Sequence, residues 1–377
     1  MNYNFELGPI RPPSEAHSIL LRVTRNCPWN RCAFCPVYKK RKFSPRKVDE
    51  VIQDIDAVAF ITEKITGTIA AAGGGGEDNL DLVGQLAAEE NIDRDSIHQV
   101  IFWLRCGMKS LFLQDADSLV IKSGHLVKIL NHIREKFPSI ERVTSYSRAK
   151  TLSKKSLDEL KKLRTAGLDR VHIGMESGSA KVLEKINKGV TPAEQVLAGK
   201  NAVAAGFELS EYFMPGIGGA ELSQENAVES AKVLNQVNPT FIRLRTTRVI
   251  KRTPLHQMMV DKKWTPLSEI EKITEIKLFI ENLKGIESKI VSDHIMNLIE
   301  EVEGRMPEDK DKILKVLDKF LKMKTEDKES FIVGRRLGRF RFLSDYTPSA
   351  RIEKIKAELK SRFSSLEEAI HQVAQNY

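Results

Sequence analysis

The chain has 377 residues, 41% of them hydrophobic and 29% charged, and a formal net charge of +9. Such a length exceeds one average domain and can bury a large core, while no uninterrupted apolar run approaches a membrane span. The basic excess is interleaved with acids, so it argues for solubility and non-specific attraction rather than for a dedicated nucleic-acid surface.

Residues 1–16 open without the basic and apolar segments of an export signal, and Gly8, Pro9, Pro12 and Pro13 predict an extended arm. The short, partly β-branched run 19–24 reads as a strand. Directly after it come Cys27, Cys32 and Cys35, three of the four cysteines, on a loop that Pro28 keeps irregular. An odd trio fits disulfides poorly, and neither a second cysteine pair nor a His-x3-His follows to complete a structural zinc site. An iron–sulfur cluster held by three thiolates, with one iron left for an exchangeable ligand, meets the count directly; a zinc or purely structural site is the alternative. Four cysteines in a chain of this length, three of them clustered, suit a reducing cytoplasm.

Ser44 and Pro45 read as the N-cap and first turn of a crossover helix running to about Thr62. Residues 63–107 break the alternation and read as a flexible insertion near the site. Within it the run Gly73 to Gly76 lacks the Gly-Lys-Ser ending of a phosphate loop, and Cys106 reads as a buried thiol. Beyond it, strands are predicted at 110–113, 142–147, 170–175, 209–214 and 241–245, with helices at 124–137, 153–166, 193–205 and 224–237. With the first strand this makes six strands alternating with helices, hence right-handed parallel crossovers, which spacing alone allows to be an open sheet or a barrel. The strands end in polar or glycine-rich residues, and such ends share one rim in folds of this kind. His172 sits inside an apolar strand and reads as structural, and Met258, Met259 and Trp264 read as core. After residue 252, helices rich in lysine and glutamate are predicted at 268–283, 290–302, 309–322 and 352–375, with 334–341 as a basic linker.

The cysteine loop, with Phe34 before Cys35, and the strand-end motif Gly174-Met175-Glu176-Ser177-Gly178-Ser179 resemble the radical S-adenosylmethionine (radical SAM) superfamily across residues 17–250. The departure is that four residues, Pro28 to Arg31, separate the first two cysteines, where the usual loop has three. The resemblance implies an α/β fold, a partial (β/α)6 barrel of parallel strands with a helical C-terminal appendage. Its divisions would be an arm at 1–16, a core at 17–252 with an insertion near 63–107, and a helical region at 253–377. It implies a [4Fe-4S] cluster on Cys27, Cys32 and Cys35, with S-adenosylmethionine beside it and Phe34 at the cofactor site. Gln114 and Asp115 would meet the methionine amino group, Arg148 its carboxylate, Glu176 and Ser177 the ribose hydroxyls, and Ile217 and Gly218 the adenine. The implied enzyme cleaves S-adenosylmethionine reductively and uses a 5′-deoxyadenosyl radical to abstract hydrogen from its substrate. Electrons would come from a donor such as a flavodoxin or ferredoxin, with no membrane partner. Two rival readings are a non-catalytic iron–sulfur or zinc protein, and a radical SAM enzyme acting on RNA through the basic linker.

Overall fold

The computed structural model describes residues 3–71, 84 and 87–374. Its strands are β1 (Ile19–Arg22), β2 (Thr24–Arg25), β3 (Ser44–Pro45), β4 (Ser110–Gln114), β5 (Arg142–Ser147), β6 (Arg170–Glu176), β7 (Glu208–Phe213), β8 (Phe241–Leu244), β9 (Lys289–Val291) and β10 (Gly304–Arg305). Eight of them form one mostly parallel sheet in the order β1-β4-β5-β6-β7-β8-β9-β10, while β10 runs antiparallel to β9. The α/β class expected from the alternation is therefore present, with two strands more than the six anticipated. Of these two, β9 overlaps the start of the region read as a helix at 290–302 and β10 follows its end. There Ile290, Leu298, Ile299 and Val302 are all buried, and short apolar runs buried on every side satisfy either periodicity.

The chain divides into two compact units, one of residues 1–30, 37–173 and 201–209, the other of residues 31–36, 174–200 and 210–377. In the first, Leu21, Leu111, Leu113, Val143 and Val171 are wholly buried strand residues. Helices α1 (Val48–Ala71), α2 (Arg94–Arg105) and α3 (Ser123–Lys136) also belong to this unit. Helix α1 begins later than expected because Ser44 and Pro45 instead pair with Arg25 and Thr24 across β2 and β3. The insertion holds a real helix, α2, capped by Asp93 and anchored by buried Trp103, whose Nε1 donates to the Ser110 carbonyl at 2.9 Å. Cys106 ends that helix half-exposed rather than buried. The run 73–76 lies outside the described residues. The helix expected at 153–166 is α5 (Leu157–Thr165), which starts later, at a reciprocal Ser156–Glu159 capping box, and a short helix not expected, α4 (Ala149–Leu152), precedes it.

The second unit contains α6 (Ala180–Lys185), α8 (Ser223–Val237), α9 (Pro254–Val260), α10 (Glu269–Asn282), α11 (Lys310–Lys322), α12 (Thr325–Arg336), α13 (Ala350–Arg362) and α14 (Leu366–Ala374), while α7 (Pro192–Ala204) runs across the division in sequence. One apolar core gathers Phe213, Leu234, Leu244, Phe279, Phe320 and Phe331, with Phe213 and Phe279 stacked at 4.1 Å. A smaller one joins Ala33, Val182, Ile186, Met214, Ile217, Leu255 and Trp264, against which Met258 and Met259 pack, the core role expected of them. Residues 334–341 are no linker. Arg335 and Arg336 close α12, where Arg335 pairs with Glu300 at 2.6 Å and Arg336 with Glu269. Arg341 shares Glu300 at 2.7 Å, so these charges are met by carboxylates of the same unit. Among the described residues no helix is long and apolar enough to cross a membrane.

Candidate active site

In the first unit the start of the cysteine loop is fastened from below by Asp115. That carboxylate is 0% exposed and accepts from Arg22 Nε and Nη2 at 3.0 and 2.7 Å, from the Asn26 backbone N–H at 2.8 Å and from Tyr38 Oη at 2.5 Å. Its oxygens are thus spent on the loop, a different duty from the expected contact with a methionine ammonium. Gln114 is equally buried and holds the N-terminal arm: its Oε1 accepts from Gly8 N–H at 2.8 Å, and its Nε2 donates to the Ile10 carbonyl at 2.7 Å. The loop itself turns at Asn26 and Asn30, both at positive φ, where asparagine is among the better-tolerated residues. The Asn26 amide donates to the Lys42 carbonyl at 2.6 Å, and the Asn30 amide to the carbonyls of Tyr38 and Arg41. The Asn30 backbone N–H points at Cys27 Sγ, 3.4 Å away. Arg148 lies over the Trp29 ring at 5.2 Å, which brings one expected binding residue to the cysteine loop. His172 is buried, with Nε2 3.3 Å from Ser14 Oγ and 3.6 Å from Glu15 Oε1, as befits a structural histidine.

In the second unit the segment carrying Cys32 and Cys35 is held by its backbone: Ala33 N–H donates to the Ile186 carbonyl at 2.7 Å, and the Ala33 carbonyl accepts from Leu255 N–H at 2.9 Å. Phe34 packs on the small core, and Lys188 Nζ stands 5.8 Å from its ring centre. The same lysine pairs with Glu176 at 2.8 Å. Glu176 is 8% exposed and adopts φ +64°, an unusual conformation for a non-glycine residue. Glu211 was not singled out by its sequence context, yet it is 3% exposed and its Oε2 has no partner. Burial first, then the charge of Glu176, pushes its carboxyl well above the ordinary range, against the pull of Lys188.

Ser177 is fully buried and accepts from Ser179 N–H at 3.1 Å, while Ser179 caps α6. The Gly-Ser stretch therefore also acts as a turn and helix cap. Ile217 is buried in the small core and its carbonyl accepts from Trp264 Nε1 at 3.1 Å. At Gly218 a Cβ would stand 2.9 Å from the Leu222 carbonyl oxygen, so glycine is needed for the chain to fold back on itself. Beneath this turn Glu275 accepts from Gly216 N–H and Asn226 Nδ2, each at 2.8 Å, and from Ser223 Oγ.

None of the four cysteines is in a disulfide, and all are half-exposed. Among the described residues no three His, Cys, Asp or Glu side chains form a group able to hold a metal ion. A [4Fe-4S] cluster does not ask for such a group, because each of its three protein thiolates takes a different iron. Half-exposed thiols outside any disulfide are the ligand type that such a cluster takes.

The sequence profile of the Radical SAM superfamily matches residues 21–231. With more than half of its length matched, the chain belongs to the radical SAM superfamily, whose enzymes use a [4Fe-4S] cluster and S-adenosylmethionine as cofactors and need a reductant and a substrate. A curated relative, 4′-phospho-dehydrooxetanocin synthase of Priestia megaterium, is 24% identical over 196 residues, 51% of this chain and 22% of that protein. Among solved structures, the radical S-adenosylmethionine methyltransferase TsrM of Kitasatospora setae, with cobalamin and [4Fe-4S] cluster bound, is 11% identical at a TM-score of 0.44, covering 96% of this chain and 61% of that one. Coproporphyrinogen III oxidase of Escherichia coli is 13% identical at a TM-score of 0.44, covering 71% and 52%. The chain thus spans less than a quarter of the curated relative it matches.

Proposed function

We propose that this chain is a radical SAM enzyme in which Cys27, Cys32 and Cys35 hold the [4Fe-4S] cluster. The observation that carries the reading is the cysteine loop itself: three thiols outside any disulfide, on a loop whose start is fixed by a fully buried carboxylate. When bound, the cluster and S-adenosylmethionine supply reductive cleavage to methionine and a 5′-deoxyadenosyl radical, which abstracts hydrogen from the substrate. The chain's own residues bind and orient. Phe34 backs the cysteines on the apolar side. Arg148 presents a guanidinium to the methionine carboxylate, Glu176 and Ser177 take the ribose hydroxyls, and Ile217 and Gly218 shape the adenine side. Asp115 and Gln114 act one step back, through the loop and the arm they hold. A flavodoxin or ferredoxin is the donor this chemistry calls for, and a reducing cytoplasm suits an oxygen-labile cluster.

Anaerobic reconstitution of the full chain followed by electron paramagnetic resonance tests this reading. A vacant iron predicts that the spectrum of the reduced cluster changes when S-adenosylmethionine is added. A spectrum indifferent to it would favour an electron-carrying or structural cluster instead.

A further inference from the structure

The second unit contains a cavity of about 480 Å³ whose wall includes Thr247 and Arg248, just beyond β8. That is room for a small molecule. Thr247 is 6% exposed, and its hydroxyl has no hydrogen-bond partner. The Nε of Arg248 is likewise buried without an acceptor. Unpartnered donors of this kind cost free energy unless something else meets them.

The acids around the cavity do not supply the missing acceptor. Of the four acids lining the cavity, Glu269 is taken by Lys272 and Arg336, Glu271 by the cap of α10 at Ser268 and Glu368 by Ser364, and Glu367 is the fourth. Among the described residues no carboxylate pairs with Arg248 or with Arg245, which rests over the Tyr212 ring at 5.8 Å. Nearby His294 registers the result. Burial first, then the charges of Arg245, Arg336 and Arg248, lower its pKa to about 3, and its Nδ1 is also buried without a partner.

From this wall we infer that the cavity is a substrate subsite for an oxyanion, a phosphate ester or a carboxylate, held by the Arg248 guanidinium and the Thr247 hydroxyl. Guanidinium and hydroxyl together offer donors that an oxyanion accepts as charge-assisted bonds, whereas a neutral ligand would leave the positive charge unmet. The inference rests on the radical SAM reading and specifies its substrate. The subsite adjoins the turn that carries Ile217 and Gly218: Thr247 N–H donates to the Pro215 carbonyl at 2.9 Å, and a Cβ at Gly216 would lie 3.7 Å from Thr247 Cβ.

The test is calorimetric titration of the full chain with inorganic phosphate and, separately, acetate. Saturable binding is expected, weakened about tenfold by Arg248→Gln and severalfold by Thr247→Val, with Arg248→Lys recovering part of the loss. Tighter phosphate points to a phosphate ester and tighter acetate to a carboxylate. Absence of saturable binding of either anion, or wild-type affinity in Arg248→Gln, overturns the inference. If Arg248→Gln fails to fold by its melting curve, Thr247→Val decides: unchanged affinity there overturns it equally. The radical reading is scored apart, by wild-type cleavage of S-adenosylmethionine, so either idea can fail while the other stands.

Discussion

Asp115 shows how a single carboxylate can matter to a cofactor without touching it. Four donors converge on it in a site closed to water. Asp115→Ala removes two of the hydrogen bonds of the Arg22 guanidinium, which keeps its pair with Glu6 at 2.8 Å, and should cost about 1–3 kcal/mol in urea unfolding. Iron bound per chain after reconstitution should fall with it, because Asn26 loses its anchor. Glu176→Ala breaks the pair with Lys188 and removes the proposed ribose acceptor. S-adenosylmethionine affinity in equilibrium dialysis should drop about tenfold or more, and an unchanged affinity would remove Glu176 from the binding set. The sequence marks both residues because strand ends gather function. It does not reveal that Asp115 is buried, since the groups that cover it, Asn26 and Tyr38, lie 89 and 77 positions away. Lys188 and Glu211 were equally invisible, being ordinary residues until the chain folds them against Glu176.

Helix α10 carries two buried carboxylates with opposite behaviour. Burial alone would raise Glu269, but the charges of Lys272 and Arg336 outweigh it and hold the pKa at about 2. Its stabilising contribution is present above the ordinary value of 4.5 and is lost as pH falls towards 2. Burial dominates at Glu275 and lifts it to about 7, against the hydrogen bonds from Ser223, Gly216 and Asn226. The folded state then holds this proton more tightly, so stability declines as pH rises from 4.5 to about 7. Glu269→Gln should therefore flatten the acid limb of stability against pH, and Glu275→Gln the neutral limb, each by about 3 kcal/mol. Denaturant titration across pH 2–8 checks both; parallel curves for wild type and variants would refute the assignment. At Gly178 a Cβ would sit 2.4 Å from the Glu229 carbonyl oxygen and 2.6 Å from Ser230 Cα, both backbone atoms of α8. Gly178→Ala should accordingly lower stability by about 1–3 kcal/mol, seen as a lower melting temperature. The glycine was legible in the motif, but its reason, close approach of a helix 50 residues on, was not.

Across the whole molecule, the alternation from residue 110 to 245 is legible almost strand for strand, because parallel strands buried on both faces leave continuous apolar runs between amphipathic helices. What escaped were elements whose local pattern is ambiguous. Ser44 and Pro45 look like a helix start until Thr24 and Arg25 are there to pair with them. Ile290 and Val291 have helical spacing to Leu298 and Ile299 yet extend beside β8. Arg335, Arg336 and Arg341 look like a free basic run only while Glu269 and Glu300 are distant in sequence. The cysteine loop is legible without such context as three clustered thiols, and the chemistry proposed for them is read from that spacing.

The most direct measurement is therefore formation of 5′-deoxyadenosine from S-adenosylmethionine by the anaerobically reconstituted full chain with dithionite, wild type against Cys35→Ala. The wild type should bind about four irons per chain and release 5′-deoxyadenosine, while Cys35→Ala should release none. Iron incorporation with no 5′-deoxyadenosine from the wild type, or equal release by Cys35→Ala, would contradict a cluster held by these three cysteines for radical chemistry.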